Sequence, residues 1–304
     1  MKIGITYLYT IMSYGYPPAI GDDFKALADI EKMGFHYLEM EALGPKHAEA
    51  VWKHREEFKS RLDAHGIHVH NFCAVDPDLV SLDSSLRKTA VERFKRSSEL
   101  GAYLGTETIH LASYAPPVEY LSGRPYELGE DYAIPEKITM RIPDGFCWER
   151  VWEALVDSCR QTAEIAKGLE RTIIMEPRVG EVICSTDSMI RLINDVNMAN
   201  FKANFDTGHF GAQRENVPLA LMKLEGKFAN IHISDNNPIN SDHLPVGDGI
   251  IDWMEFFRIL KHMGYDGYLG LDLTGDIDTL KDGMKRSIDY IKAVAKQLDI
   301  NVTV

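Results

Sequence analysis

Cysteine is scarce in this chain of 304 residues: only Cys73, Cys147, Cys159 and Cys184 occur. No two of them form a CxxC pair or stand at zinc-ribbon spacing, so a disulfide framework and a thiolate metal site are both excluded, and the thiols read as reduced and mostly buried. Basic charge is also short, with 33 Lys and Arg against 46 Asp and Glu and a formal net charge of −13. A phosphate-backbone binder needs a basic surface, which argues against DNA or RNA as partner. No run approaches the ~18 apolar residues of a membrane span. The opening "MKIGITYLYTIM" lacks the uninterrupted apolar core and small-residue cleavage site of a signal peptide. These absences describe a cytoplasmic protein that engages neither nucleic acid nor membrane.

What is present is apolar material in short, regular pieces. Hydrophobic residues make up 45% of the chain, enough for a large core. Length alone allows one or two domains, although α/β barrels reach this size as one. Runs rich in β-formers occur at 2–8, 36–41, 67–74, 107–113, 172–177, 201–206, 228–234 and 268–273. Helical patterns such as "DDFKALADIEKMG" lie between them, several ending at a glycine (Gly34, Gly66, Gly105, Gly226, Gly264) just before the next strand. Eight strands alternating with eight helices, with no Pro/Ser linker, predict a single (β/α)8 barrel domain over 1–304. The alternative, an open doubly wound sheet, needs a Gly-rich phosphate turn after the first strand, and "YTIMSYGYPP" is not one.

One stretch breaks the rhythm. Residues 113–144 carry five prolines and four tyrosines (Tyr114, Tyr120, Tyr126, Tyr132) with no clear period. A connection of that length is commonly functional. It follows the fourth strand, so in a barrel it hangs over the catalytic face. The reading is an insert that borders substrate as a lid or wall, the alternative being a surface excursion or oligomer contact.

In a parallel barrel the C-terminal strand ends converge on one face. The last four strands end in Glu176 ("IIMEP"), Asp206 ("FDTGH"), His232 ("HISD") and Asp272 ("LGLDL"). One Asp at a strand end is more often a helix cap than a ligand. Three carboxylates aimed at one point, however, repel one another strongly unless a cation joins them. Three oxygens and one imidazole nitrogen suit Mn²⁺ first, with Mg²⁺, Co²⁺ or Zn²⁺ also possible.

The motifs "EP", "FDTGH", "HISD" and "HLPVGDGIIDW" at these strand ends resemble the xylose-isomerase-like TIM barrels, and the resemblance runs from Met1 to about Lys296. That family includes sugar-phosphate isomerases and epimerases, ketose 3-epimerases, hydroxypyruvate isomerases, inosose dehydratases and an AP-endonuclease branch. The resemblance implies that Glu176, Asp206, His232 and Asp272 hold one divalent metal and that His209 touches substrate. Most relatives have Glu where this chain has Asp272. The nuclease branch needs three zinc ions and an Asp two residues before His243. That position is Ser241 here, and the acidic net charge also opposes nuclease function. His70 and His110 then read as pocket or core histidines.

The expected chemistry is proton transfer beside a sugar carbonyl by a metal-dependent isomerase or epimerase. Glu176, His209 and His243 are the candidate proton carriers, and Arg178, His110 and Glu181 the candidate substrate contacts. Arg178 either anchors an oxyanion or pairs with Glu181. One of Glu39 and Glu41, at the end of the second strand, is expected to face the pocket. A lyase or dehydratase is the alternative, such as a C-glycoside deglycosidase subunit acting on 3-keto-glycosides beside a smaller partner subunit. A binding barrel that has lost turnover is a third reading. A homo-oligomer acting on a small sugar or glycoside is expected.

Overall fold

The computed structural model describes residues 1–126, 137–237 and 240–304. Ten strands occur among them: β1 (Lys2–Ile5), β2 (Tyr37–Leu43), β3 (His68–Val75), β4 (Thr108–Ala112), β5 (Glu119–Ser122), β6 (Thr139–Arg141), β7 (Thr172–Glu176), β8 (Phe201–Asp206), β9 (Phe228–Ile233) and β10 (Tyr268–Leu271). Eight of them close a barrel in the order β1-β10-β9-β8-β7-β4-β3-β2, every pairing parallel, while β5 and β6 form a separate antiparallel hairpin. All eight barrel strands coincide with the apolar runs read from the sequence, to within a few residues at their ends. Helices cover the outside, and Phe72, Phe201, Phe205 and Trp253 fill the layer between them and the barrel without solvent exposure beyond 1%.

The expected one helix per strand is exceeded. Eleven α-helices occur among the described residues, because β1, β2 and β8 are each followed by two. Gly66 and Gly105 adopt the left-handed conformation at helix ends, as the turn into the next strand requires. The 113–144 stretch is less irregular than its composition suggests: Tyr114 is buried, and the hairpin spans its two flanks. Residues 127–136, with Tyr132, lie outside the described residues.

Strand register determines what meets at the mouth of the barrel. Asp206 pairs level with His232, and Glu176 level with Ala112. A Cβ on Gly270 would fall 2.9 Å from Thr6 Cγ2, so glycine here leaves space for the threonine that meets Asp272. No helix among the described residues is long and apolar enough to cross a membrane.

Candidate active site

Glu176 and Asp206 are the last residues of their strands, His232 sits one residue from the end of β9, and all three are buried. His232 Nδ1 lies 2.8 Å from Glu176 Oε1 and 3.6 Å from Asp206 Oδ2. Its other nitrogen, Nε2, is 2.9 Å from Glu39 Oε2. Glu176 Oε1 also accepts from Asn204 Nδ2 at 2.6 Å. Asp206 divides its oxygens. Oδ1 caps the helix Thr207–Ala212, accepting the His209 N–H at 2.9 Å, whereas Oδ2 is buried, faces His232 Nδ1 only at 3.6 Å and makes no hydrogen bond among the described residues. A buried carboxylate oxygen with no donor is costly. It marks where a cation fits, and the surrounding donors, two carboxylates and an imidazole, have the chemistry of a divalent-metal site.

Asp272, just beyond β10, forms a second close group with Asp206 and His243. Its Oδ1 accepts from Thr6 Oγ1 at 2.6 Å, and its Oδ2 is 2.9 Å from His243 Nδ1. His243 reaches that point because it adopts a positive φ of 46° on the loop after β9. Asp235, wholly buried, organises this loop by accepting from the N–H groups of Asn236, Gly247 and Ile251 and from Trp253 Nε1. Gly249 lies so near that a Cβ there would fall 2.3 Å from Asp235 Oδ1. Thr207 Oγ1 donates to the Ser234 carbonyl at 2.7 Å and accepts from its N–H at 2.9 Å, tying the helix that carries His209 to the loop that carries His243.

These environments separate the ionisable groups. Burial alone raises a carboxyl pKa, but the charges of His232 and His110 hold Glu176 well below its ordinary value. Burial alone would also lower His232, yet Glu39 and Glu176 outweigh it and raise the imidazole. His243 is opposed by burial and supported by the hydrogen bond and charge of Asp272, which bring it up to about 9. His209 and His110 move the other way, pushed down chiefly by burial. Burial, Glu39 and Asp272 drive Glu41 upward. The cleft thus holds an ionised Glu176, a cationic His243 and a neutral His209.

The remaining candidates fall into place around this centre. His110 borders it, with Nε2 3.9 Å from Glu176 Oε2 and Nδ1 3.9 Å from Glu39 Oε1. His70 belongs to the barrel floor, its ring stacked 4.2 Å from that of Tyr268 and both nitrogens buried without partners. Arg178 pairs with Glu181. Glu181 also accepts from Ser113 N and Oγ at 3.1 Å and from Tyr114 N at 2.8 Å, so it braces the root of the 113–144 stretch. Tyr126, from that stretch, covers the Arg178 guanidinium at 4.3 Å and brings its hydroxyl to 3.5 Å from His209 Nδ1.

A model of the xylose isomerase-like TIM barrel matches residues 27–294. The chain belongs to that family. Over 274 residues it is 22% identical to the L-ribulose-5-phosphate 3-epimerase UlaE of Escherichia coli, covering 86% of each chain. Among solved structures it resembles a D-tagatose 3-epimerase-like protein, with a TM-score of 0.74 and 20% identity over 98% of both chains. It also resembles the 3-keto-D-glucoside 4-epimerase YcjR of E. coli, with a TM-score of 0.72 and 18% identity over 96% of this chain and 99% of the other.

Sequence reasoning fell short on β2. Only one of Glu39 and Glu41 was expected to face the pocket, but residues two apart in a strand share a face. Both point inward: Glu39 bonds His232, and Glu41 is half-buried among the charges of Glu39, Asp272, Arg178 and Glu176. Thr6, Asn204 and Asp235 were missed altogether. The signal for Asn204 and Thr6 was available, since a polar residue inside a buried strand needs a partner.

Proposed function

We propose that this protein is a divalent-metal-dependent sugar isomerase or epimerase that moves a proton on carbon beside a carbonyl. The observation that carries the proposal is the buried Glu176–Asp206–His232 cluster, whose Asp206 Oδ2 makes no hydrogen bond among the described residues. Glu176, Asp206 and His232 would hold the metal, with Asp272, which groups with Asp206, as fourth donor. Mn²⁺ suits this oxygen-rich set, and when bound it supplies Lewis acidity that polarises a carbonyl or neighbouring hydroxyl. Glu176, kept ionised, is the base that takes the proton from carbon. His243, kept cationic by Asp272, donates to a developing oxyanion, and neutral His209 hydrogen-bonds a substrate hydroxyl. Arg178 and Tyr126 form the adjoining wall.

The test is metal content. Protein purified without chelator is expected to carry close to one divalent ion per chain, and Asp206→Asn to lose it while keeping its fold by circular dichroism. A wild-type stoichiometry near zero, with turnover unaffected by EDTA, contradicts the proposal.

A further inference from the structure

The cleft is acidic on nearly every side. Glu39, Glu41, Glu176, Asp206 and Asp272 surround it, and their ion-pair partners within 4.0 Å, where they have any, are all histidines. Among the described residues no lysine or arginine comes that close to them. The remaining segments, 127–136 ("ELGEDYAIPE") and 238–239 ("PI"), contain neither residue type. Arg178 is a guanidinium whose charge acts on Glu41 and Glu176. It is paired with Glu181 and its face is covered by Tyr126, and its buried Nε–H makes no hydrogen bond among the described residues. Such a donor serves a neutral oxygen without any further charge to neutralise.

Backbone N–H groups are the other common means of holding a phosphate. The loop after β9 has such a cluster, but it is filled from within. The N–H groups of Asn236, Gly247 and Ile251 all point at the Asp235 carboxylate, which takes the place an anionic ligand would need. Even with a divalent ion at Glu176, Asp206 and His232, the carboxyl groups of Glu39, bonded to His232, of Asp272, paired with His243, and of Glu41 remain around the cleft. Glu41 has a further property: it is half-buried, stands among the charges of Glu39, Asp272 and Glu176, and makes no hydrogen bond among the described residues. A carboxyl so placed is matched by the hydroxyl groups of a sugar.

We infer that the cleft takes an uncharged carbohydrate rather than a sugar phosphate or sugar acid, and that Glu41 contacts its hydroxyl groups. The inference rests on the sugar-isomerase reading above and selects a substrate class within it. It is tested by calorimetric titration of the Mn²⁺-loaded full chain with matched pairs of ketoses, free and phosphorylated at the terminal carbon, together with an uncharged 3-keto-glycoside. The uncharged compounds are expected to bind at least tenfold more tightly than their phosphate esters. Glu41→Gln should lose about tenfold in affinity for the uncharged sugar at unchanged metal content, and discriminate less against the ester. Tighter binding of a phosphate ester than of its free sugar overturns the inference and leaves the isomerase reading standing. Unchanged free-sugar affinity in Glu41→Gln overturns the Glu41 assignment. Binding of no carbohydrate at all removes the sugar reading, and this inference with it.

Discussion

Glu39 Oε2 lies 2.9 Å from Nε2 of His232, on the opposite edge of the ring from the nitrogen that meets Glu176. A carboxylate bonded to the outer nitrogen of a ligand histidine fixes the ring's tautomer and orientation, and removing such a partner typically costs 10–100-fold in metal affinity. Glu39→Gln is therefore expected to weaken Mn²⁺ binding by about that factor, with activity largely recovered at excess metal. An unchanged dissociation constant, measured by titration, contradicts the role given to Glu39.

The same cluster is expected to make metal uptake depend on pH. Glu39 and Glu176 raise the His232 pKa against the effect of burial, so at neutral pH the imidazole carries a proton that a metal at Nδ1 must displace. Lowering the pH keeps that proton on, so metal affinity falls as pH falls. Calorimetry in buffers of different ionisation enthalpy should show about one proton released per Mn²⁺ bound near pH 7. Binding enthalpies independent of the buffer contradict this.

Asp272 is engaged by Thr6 and His243 at the same time. The charge and hydrogen bond of Asp272 sustain His243 up to about 9, so the imidazolium donor is present below that pH and lost as pH rises through it. Asp272→Asn removes the charge. The alkaline limb of kcat/KM should then move down toward the ordinary histidine value near 6.5. The comparison is made at saturating Mn²⁺, to separate it from any loss of metal. A limb that stays in place assigns the proton donor elsewhere.

Tyr126 joins the 113–144 stretch to two candidate substrate contacts, covering Arg178 and approaching His209 Nδ1. Tyr126→Ala should raise KM by about tenfold, the order expected for a stacking contact worth about 1 kcal/mol or more, with metal content and fold unchanged. Deleting the hairpin from Glu119 to Arg141 is the larger version of this test. Ser113 and Tyr114 must be kept, because Glu181 anchors their backbone. Wild-type KM in Tyr126→Ala makes the stretch a surface feature.

The barrel was legible because each strand is a short buried run bounded by turn residues, and parallel strands buried on both faces have no other reading. Glu176, Asp206 and His232 were legible for a related reason: a charged or imidazole side chain at the end of such a run stands out against the apolar residues before it. Glu39 stands in "HYLEME" in mid-strand, where alternation alone does not separate a pocket carboxylate from a solvent-facing one. The bond between Asp272 and His243 was not legible. It depends on a positive φ at His243 and on a loop held by Asp235, neither of which has a local sequence signature. The hairpin β5–β6 was hidden because its strands flank 16 intervening residues, far longer than a turn with a recognisable dipeptide.

The central claim is that Glu176 moves a carbon-bound proton beside a sugar carbonyl at a metal centre. It is tested most directly by NMR of uncharged ketoses and a 3-keto-glycoside incubated in D₂O with the Mn²⁺-loaded protein, the EDTA-treated protein, and Glu176→Gln at saturating Mn²⁺. Deuterium should enter at the carbon beside the carbonyl with the wild-type protein alone, without loss of the sugar. Exchange that persists in Glu176→Gln or after EDTA treatment, or release of an aglycone without exchange into the recovered sugar, would contradict the account.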